Sequence, residues 1–152
     1  MRYFLDTEYN GTGGELLSVA LVPEYGDQEL YAIFPLPAEI HPWVAVHVIP
    51  YLRMVPAGLC EEMTRDDAGA EISRFLAHDP APEIVADWPD DIAYFCGLLV
   101  TGPGEIVDIP SLGFRLLRTP GFSTAANSKV PHNALHDARS LRDFAAREEG
   151  FA

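Results

Sequence analysis

The order of the apolar segments places the strongest constraint on the fold of this chain. Three short apolar stretches, at residues 2–5, 16–22 and 30–34, are joined by turn-forming sequences, which predicts three antiparallel strands. Amphipathic segments then alternate with two more apolar stretches, at residues 83–86 and 105–109. Strands that are reached through helices pair in parallel with their neighbours. The sequence therefore predicts an α/β fold with a five-stranded mixed sheet, antiparallel at one edge and flanked by helices.

The helices are predicted from the spacing of apolar residues and from their terminal residues. Apolar periodicity predicts a helix over residues 65–78 and a final helix over residues 132–149. Pro89 is well placed in the first turn of a helix that follows the fourth strand. Residues 111–117 are predicted to form one or two helical turns, and residues 120–129 a polar loop.

Composition limits the size of the fold and the kinds of ligand it can bind. The chain has 152 residues, of which 48% are hydrophobic and 22% charged, so we expect a single domain over residues 1–152. Ten Lys and Arg against 23 Asp and Glu give a formal net charge of −13, which argues against a long basic groove for nucleic acid. Bound divalent cations could supply positive charge for a polyanionic ligand. The alternative is that the acidic surface serves only solubility.

The apolar runs and the cysteines indicate the cellular compartment of the protein. The longest strongly apolar run, residues 92–100, is far shorter than the roughly 20 residues of a membrane span. The N-terminal apolar run ends at Asp6, so we expect no signal peptide. Cys60 and Cys96 are too few and too far apart for a disulfide framework or a structural zinc cluster. We therefore expect a cytoplasmic protein without a membrane partner.

Asp6 and Glu8 are the first candidate site residues. Strand alternation places their side chains on the same face of the first predicted strand, ~7 Å apart. Two carboxylates on an otherwise apolar strand are costly unless positive charge lies between them. A divalent metal ion with oxygen ligands meets that need. The alternative is a pair of surface carboxylates at the end of a strand.

A second candidate group lies at the start of the final helix. His132 stands at the mouth of this helix, and Asp137 lies just over one turn inside it. The small residues Ala134 and Ala138 would let the helix pack closely on the sheet and bring Asp137 to the metal of the first group. His132 would then stand where a general base is needed. The alternative is a solvated helix start. His136, next to Asp137, is the competing candidate for the general base, but it is predicted to project from a different face.

A third group follows the fourth predicted strand. Asp87, Asp90 and Asp91 lie where α/β sheets place ligands, at the end of a parallel strand that leads into a helix. An Asp at a helix start is also an ordinary cap or dipole partner, so we expect at least one of them to be structural. Tyr9, directly after Glu8, is a candidate for stacking on a base or ribose, or alternatively a core aromatic.

Together these segments resemble the DEDDh 3′-to-5′ exonucleases. FLDTE at residues 4–8 is similar to the first motif of that family, and HNALHDA at residues 132–138 to the third, with the same His-to-Asp spacing. Aligned backwards from Cys96, the segment after the fourth strand resembles the second motif with its Asp at Asp91. This alignment leaves Asp90 as a solvated helix residue and Asp87 as an extra carboxylate.

A narrower resemblance extends over most of the chain. Residues 1–8, WVAVHVIP at residues 43–50 and residues 132–139 are similar to the small actinobacterial-type 3′-5′ exoribonucleases. The resemblance implies a ribonuclease H-like fold, and with the element order it gives an expected sheet order of 3-2-1-4-5. Because relatives such as ribonuclease T are dimers, it also implies a homodimer.

The resemblance implies a two-metal hydrolase that acts on RNA 3′ ends or short oligonucleotides and releases nucleoside 5′-monophosphates. Two Mg²⁺ or Mn²⁺ ions, roughly 3.5–4 Å apart, would be held by Asp6, Glu8, Asp91 and Asp137. Asp6 would bridge both ions, and Asp91 would serve the ion that does not carry the attacking water. Glu8 and Asp137 would hold the water-carrying ion, so Glu8 is also a catalytic candidate. His132 is the expected general base and would swing in when a 3′ end binds.

Two other functions stay open at this point. One is a DNA or short-oligonucleotide exonuclease that uses the same site. The other is a module that recognises nucleotides or a protein partner without catalysis.

Overall fold

The computed structural model describes residues 1–150, which fold into strands and helices. In chain order the strands are β1 (Arg2–Tyr9), β2 (Leu16–Pro23), β3 (Leu30–Ile33), β4 (Glu61–Glu62), β5 (Glu83–Ala86), β6 (Val100–Gly102), β7 (Glu105–Ile106) and β8 (Gly113–Leu116). The helices are α1 (Pro42–His47), α2 (Arg65–Leu76), α3 (Pro89–Leu99), α4 (Thr124–Asn127) and α5 (Ala134–Glu148), with a 3₁₀ turn at Ile49–Tyr51.

The centre of the fold is a six-stranded mixed sheet in the order β4-β3-β2-β1-β5-β8. β2 pairs antiparallel with β1 and β3, as the tight turns between them predict. β5 lies parallel to β1 on one side and to β8 on the other. The predicted α/β class and the mixed sheet flanked by helices are confirmed.

The sequence predicted a sheet of five strands. The position of the fifth strand was wrong, and the number of strands was one too low. Residues 105–106 form β7, which pairs with β6 in a separate hairpin, because Gly104 adopts a φ of +76° and turns the chain back directly after β6. The strand beside β5 is Gly113–Leu116, part of a stretch that the sequence predicted as helical turns. The two-residue strand β4, which pairs with β3, brings the number to six.

Apolar layers cover both faces of the sheet and decide where the first candidate pair lies. One layer, which includes Leu5, packs against α2 and α3. The opposite layer, which includes Phe4, packs against α5. Alternation places Asp6 and Glu8 on the same face as Phe4, which is the face that α5 covers.

Asn133 fixes the start of α5. Its Oδ1 accepts a hydrogen bond from the backbone N–H of His136 (3.3 Å), and its Nδ2 donates to the carbonyl oxygen of Tyr51 (2.8 Å). Ala134 and Ala138 are fully buried and let the helix lie close to the sheet, as predicted. The cap therefore sets the position of Asp137, in the first turn of α5, relative to β1.

Among residues 1–150, no helix is both long enough and apolar enough to cross a membrane.

We expect the Asn133→Ala substitution to destabilise the fold by about 2–3 kcal/mol, because it removes a helix cap and leaves buried backbone groups without partners. Urea unfolding measures this loss. Thr64→Ala is the matched control, since Thr64 caps α2 with a hydrogen bond from Asp67 N–H at the exposed surface, and we expect it to cost about 1 kcal/mol. Equal losses in the two variants would contradict the role given to Asn133.

Candidate metal centre

Five carboxyl groups meet at the edge of the sheet where the parallel strands β1 and β5 end. Asp6 and Glu8 come from β1, and Asp87 follows β5 directly. Asp91 and Asp137 lie in the first turns of α3 and α5. All five line one pocket of about 460 Å³. The carboxyl end of parallel strands is the usual ligand-binding edge of an α/β sheet.

The ligand atoms fall into two groups. One oxygen each of Asp6, Asp87 and Asp91 lie within 4.8 Å of one another. In the second group, oxygens of Glu8 and Asp137 and a ring nitrogen of His132 lie within the same distance of one another. The fold thus brings together all the residues that the sequence predicted as metal ligands, together with His132. It adds Asp87, which the sequence left without a role.

Hydrogen bonds hold two of these carboxylates and leave oxygens free. The backbone N–H and the hydroxyl of Thr7 both donate to Asp91 Oδ1, at 3.1 and 2.6 Å. The backbone N–H of His132 donates to Asp137 Oδ2 at 3.2 Å. In the part of the chain that the structure describes, Asp6 Oδ2 and Asp137 Oδ1 are buried without a hydrogen-bond partner.

These free oxygens fit a divalent cation. A buried carboxylate oxygen without a partner is costly, and nothing within the described residues neutralises it, since no lysine or arginine lines the pocket. Carboxylate oxygens grouped within a few ångströms are the donor set that hard cations such as Mg²⁺ prefer. The residues present therefore fit the metal ions that the sequence motifs imply.

Burial and mutual repulsion change the acidity of the cluster. Burial, with repulsion from neighbouring carboxylates added to it, raises the pKa of Asp6 and of Glu8 well above the usual range. Burial raises the pKa of Asp91 to about 7 and that of Asp137 to about 6. At neutral pH the carboxyl groups of the cluster are therefore partly protonated, and a bound cation would displace these protons.

His132 faces the pocket in a strained backbone conformation. Its φ of +60° makes it the only non-glycine residue with a positive φ among residues 1–150. The ring packs edge-to-face on Trp43, with 4.9 Å between the ring centroids. Burial lowers the pKa of His132, so the imidazole is neutral at neutral pH. The expected swing is unnecessary for reaching the site, because a ring nitrogen already lies near Glu8 and Asp137.

His136 lies away from the pocket, as the helix geometry predicts. Its Nε2 is 2.9 Å from the carbonyl oxygen of Met54, and the residue is buried. The competing candidate for the general base is therefore engaged in a backbone contact.

Tyr9 lines the pocket with one ring face already covered. The ring stacks on Tyr94, with 4.8 Å between centroids, and its hydroxyl donates to Asp90 Oδ2 at 3.3 Å. Trp88 Nε1 donates to the same oxygen at 3.3 Å, so Asp90 anchors aromatic side chains and takes no part in the two ligand groups. Trp43 and Trp88, which are 46% and 58% exposed, also line the pocket. Sequence reasoning missed them as site residues, although Trp88 directly follows Asp87.

Comparison with known proteins does not assign a family. No protein-family model matches the chain, and no curated protein matches it. The likeness to DEDDh exonucleases stays a prediction that rests on the motifs.

We expect the Asp91→Asn variant to be more stable than the wild type at neutral pH when divalent cations are chelated. The pKa of Asp91 is about 7 in the fold, against about 4 in an unfolded chain, so between these values unfolding releases a proton. Rising pH therefore favours unfolding of the wild type. Its free energy of unfolding should fall relative to the variant by roughly 2–4 kcal/mol between about pH 4 and 7, and then level off.

Urea unfolding in EDTA across this pH range measures the difference, with Asp27→Asn in an exposed turn as the surface control. A difference between wild type and Asp91→Asn that does not change with pH would contradict the account.

Proposed function

We propose that this protein is a metal-dependent 3′-5′ exoribonuclease with a ribonuclease H-like fold, which releases nucleoside 5′-monophosphates from RNA 3′ ends. The observation that carries the proposal is the pair of acidic ligand groups in one pocket, with His132 as a member of the second. The run β3-β2-β1-β5-β8 within the sheet supports the fold. The order and spacing of the three motifs support the class of reaction.

Two divalent cations, Mg²⁺ or Mn²⁺, fit the two ligand groups. Asp6 and Asp91 belong to one group, and Glu8 and Asp137 to the other. When bound, such ions lower the pKa of water and neutralise charge on the phosphate. In a chain with a formal net charge of −13, they also supply the positive charge that a polyanionic substrate needs.

His132 takes up the proton of the attacking water. Its imidazole is neutral at neutral pH because burial lowers its pKa, and it can therefore accept a proton. The Trp43 ring and the left-handed backbone at His132 hold the imidazole toward the pocket. The neighbouring carboxylates of Glu8 and Asp137 favour the imidazolium that results.

The surroundings of the pocket support a single-stranded polynucleotide as the substrate. Trp43 and Trp88 present exposed rings on which bases can stack. An adjoining groove of about 430 Å³ shares Asp87, Trp88 and Thr124 with the pocket, and its wall carries Arg118. A guanidinium in that groove is suited to a phosphate on the 5′ side of the scissile bond.

We expect the purified protein to shorten a 5′-labelled RNA oligomer stepwise from its 3′ end in Mn²⁺ or Mg²⁺. In the same assay, His132→Ala should lose about 10²- to 10⁴-fold in turnover, because a general base contributes about that much. The affinity of this variant for Mn²⁺ should stay close to that of the wild type. Gel analysis of the products and calorimetry with Mn²⁺ give the two readouts.

Three controls sharpen this test. A matched DNA oligomer separates the alternatives, since shortening of DNA alone would favour a DNA exonuclease, and metal-dependent binding without shortening of either would favour a non-catalytic module. His78→Ala changes an exposed histidine outside the pocket. Full turnover of His132→Ala, together with a large loss of turnover in His136→Gln, would refute His132 as the base. Loss of Mn²⁺ affinity in His132→Ala would make His132 a metal ligand instead.

A further inference from the structure

Asp87 is the carboxylate of the pocket to which the resemblance to exonucleases gives no role. It directly follows β5 and precedes α3, so the parallel pairing of β5 with β1 brings it beside the β1 carboxylates. One of its oxygens lies within 4.8 Å of ligand oxygens of both Asp6 and Asp91.

We propose that Asp87 is a fifth carboxylate ligand of the metal centre and that, with Asp6 and Asp91, it completes the site of one cation. This inference rests on the metal centre of the proposed function. An independent observation supports it: Asp6 is 9% exposed, and its Oδ2 is buried with no hydrogen-bond partner among the described residues. An oxygen so placed, within a group of three carboxylates, lacks the positive partner that burial demands.

The surroundings of Asp87 differ from those of an ordinary helix-start carboxylate. Asp90, three positions later, is held by Tyr9 OH and Trp88 Nε1 and stays outside both ligand groups. Asp87 instead exerts its charge on the cluster. Burial is the largest cause that raises the pKa of Asp91 and of Asp137, and the charge of Asp87 raises both further. Without a cation, the charge of Asp87 adds repulsion to a crowded site.

The added carboxylate makes the two cation sites unequal. The first group has three carboxylates, from Asp6, Asp87 and Asp91, whereas the second has two, from Glu8 and Asp137, beside the imidazole that acts as the general base. Affinity for a hard divalent cation rises with the number of charged oxygen ligands. The first group should therefore bind its ion more tightly and fill first.

Isothermal titration of the full chain with MnCl₂ tests the inference. For the wild type we expect two Mn²⁺ sites of different affinity. In Asp87→Asn the tighter site should weaken by at least about tenfold, since even residues that only support a ligand typically contribute 10- to 100-fold to metal affinity. Asp90→Asn is the matched control, from the same segment, and should bind Mn²⁺ like the wild type.

The outcomes separate this inference from the proposed function. Unchanged Mn²⁺ affinities in Asp87→Asn, with two sites in the wild type, would overturn the role of Asp87 alone. A wild type without a Mn²⁺ site would overturn both. Asp87→Asn removes a charge from a repelling cluster, so urea unfolding in EDTA should find it at least as stable as the wild type, and any loss of affinity then reflects the lost ligand.

Discussion

Repulsion among five carboxylates at the end of β1 and β5 is the constraint on which the rest of the structure depends. Each of these groups would be more stable in water, and burial raises the pKa of Asp6, Glu8, Asp91 and Asp137. The apolar layers on both faces of the sheet must therefore hold the charges together against their own electrostatics. Binding of cations to such a site would relieve this repulsion and stabilise the folded state.

The devices that hold the cluster are local and few. Thr7, between the two β1 ligands, uses its backbone and hydroxyl to fix Asp91. Asn133 sets the first turn of α5, and the backbone N–H of His132, just before the helix, fixes Asp137. The left-handed φ of His132 is the strain that accompanies this arrangement. The residues that stabilise the fold at this point are thus the same residues that position the site.

Much of this arrangement was predictable from the sequence because its signals are local. Apolar strands joined by tight turns predicted the β3-β2-β1 meander, apolar periodicity predicted α2, and Pro89 predicted the start of α3. The resemblance to the exonuclease motifs pointed to the four candidate ligands and His132, which the fold brings to one pocket. The fifth strand was missed because residues 105–109 and 113–116 carry similar short patterns, and only the reversal at Gly104 decides which one reaches β5.

The remaining gaps concern contacts between distant segments. Tyr9 was a stacking candidate, yet its ring is partly covered by Tyr94, which α3 supplies. The roles of Asp87, Asp90 and Asp91 could not be separated in sequence, because all three are acidic residues at one strand–helix junction. Their separation depends on which of them reach Asp6 and which one reaches the Tyr9 hydroxyl, and only the packing of α3 on the sheet determines that.

The central claim is that the buried carboxylates are built to hold divalent cations, and the effect of Mn²⁺ on stability tests it most directly. Urea unfolding of the wild type and of Asp6→Asn is compared in EDTA and in excess Mn²⁺ at neutral pH. The account predicts that Mn²⁺ at about 100 times the dissociation constant of the tighter site stabilises the wild type by at least about 3 kcal/mol, and that Asp6→Asn loses most of the contribution of that site. A wild type whose unfolding midpoint is the same in EDTA and in Mn²⁺ would contradict the account.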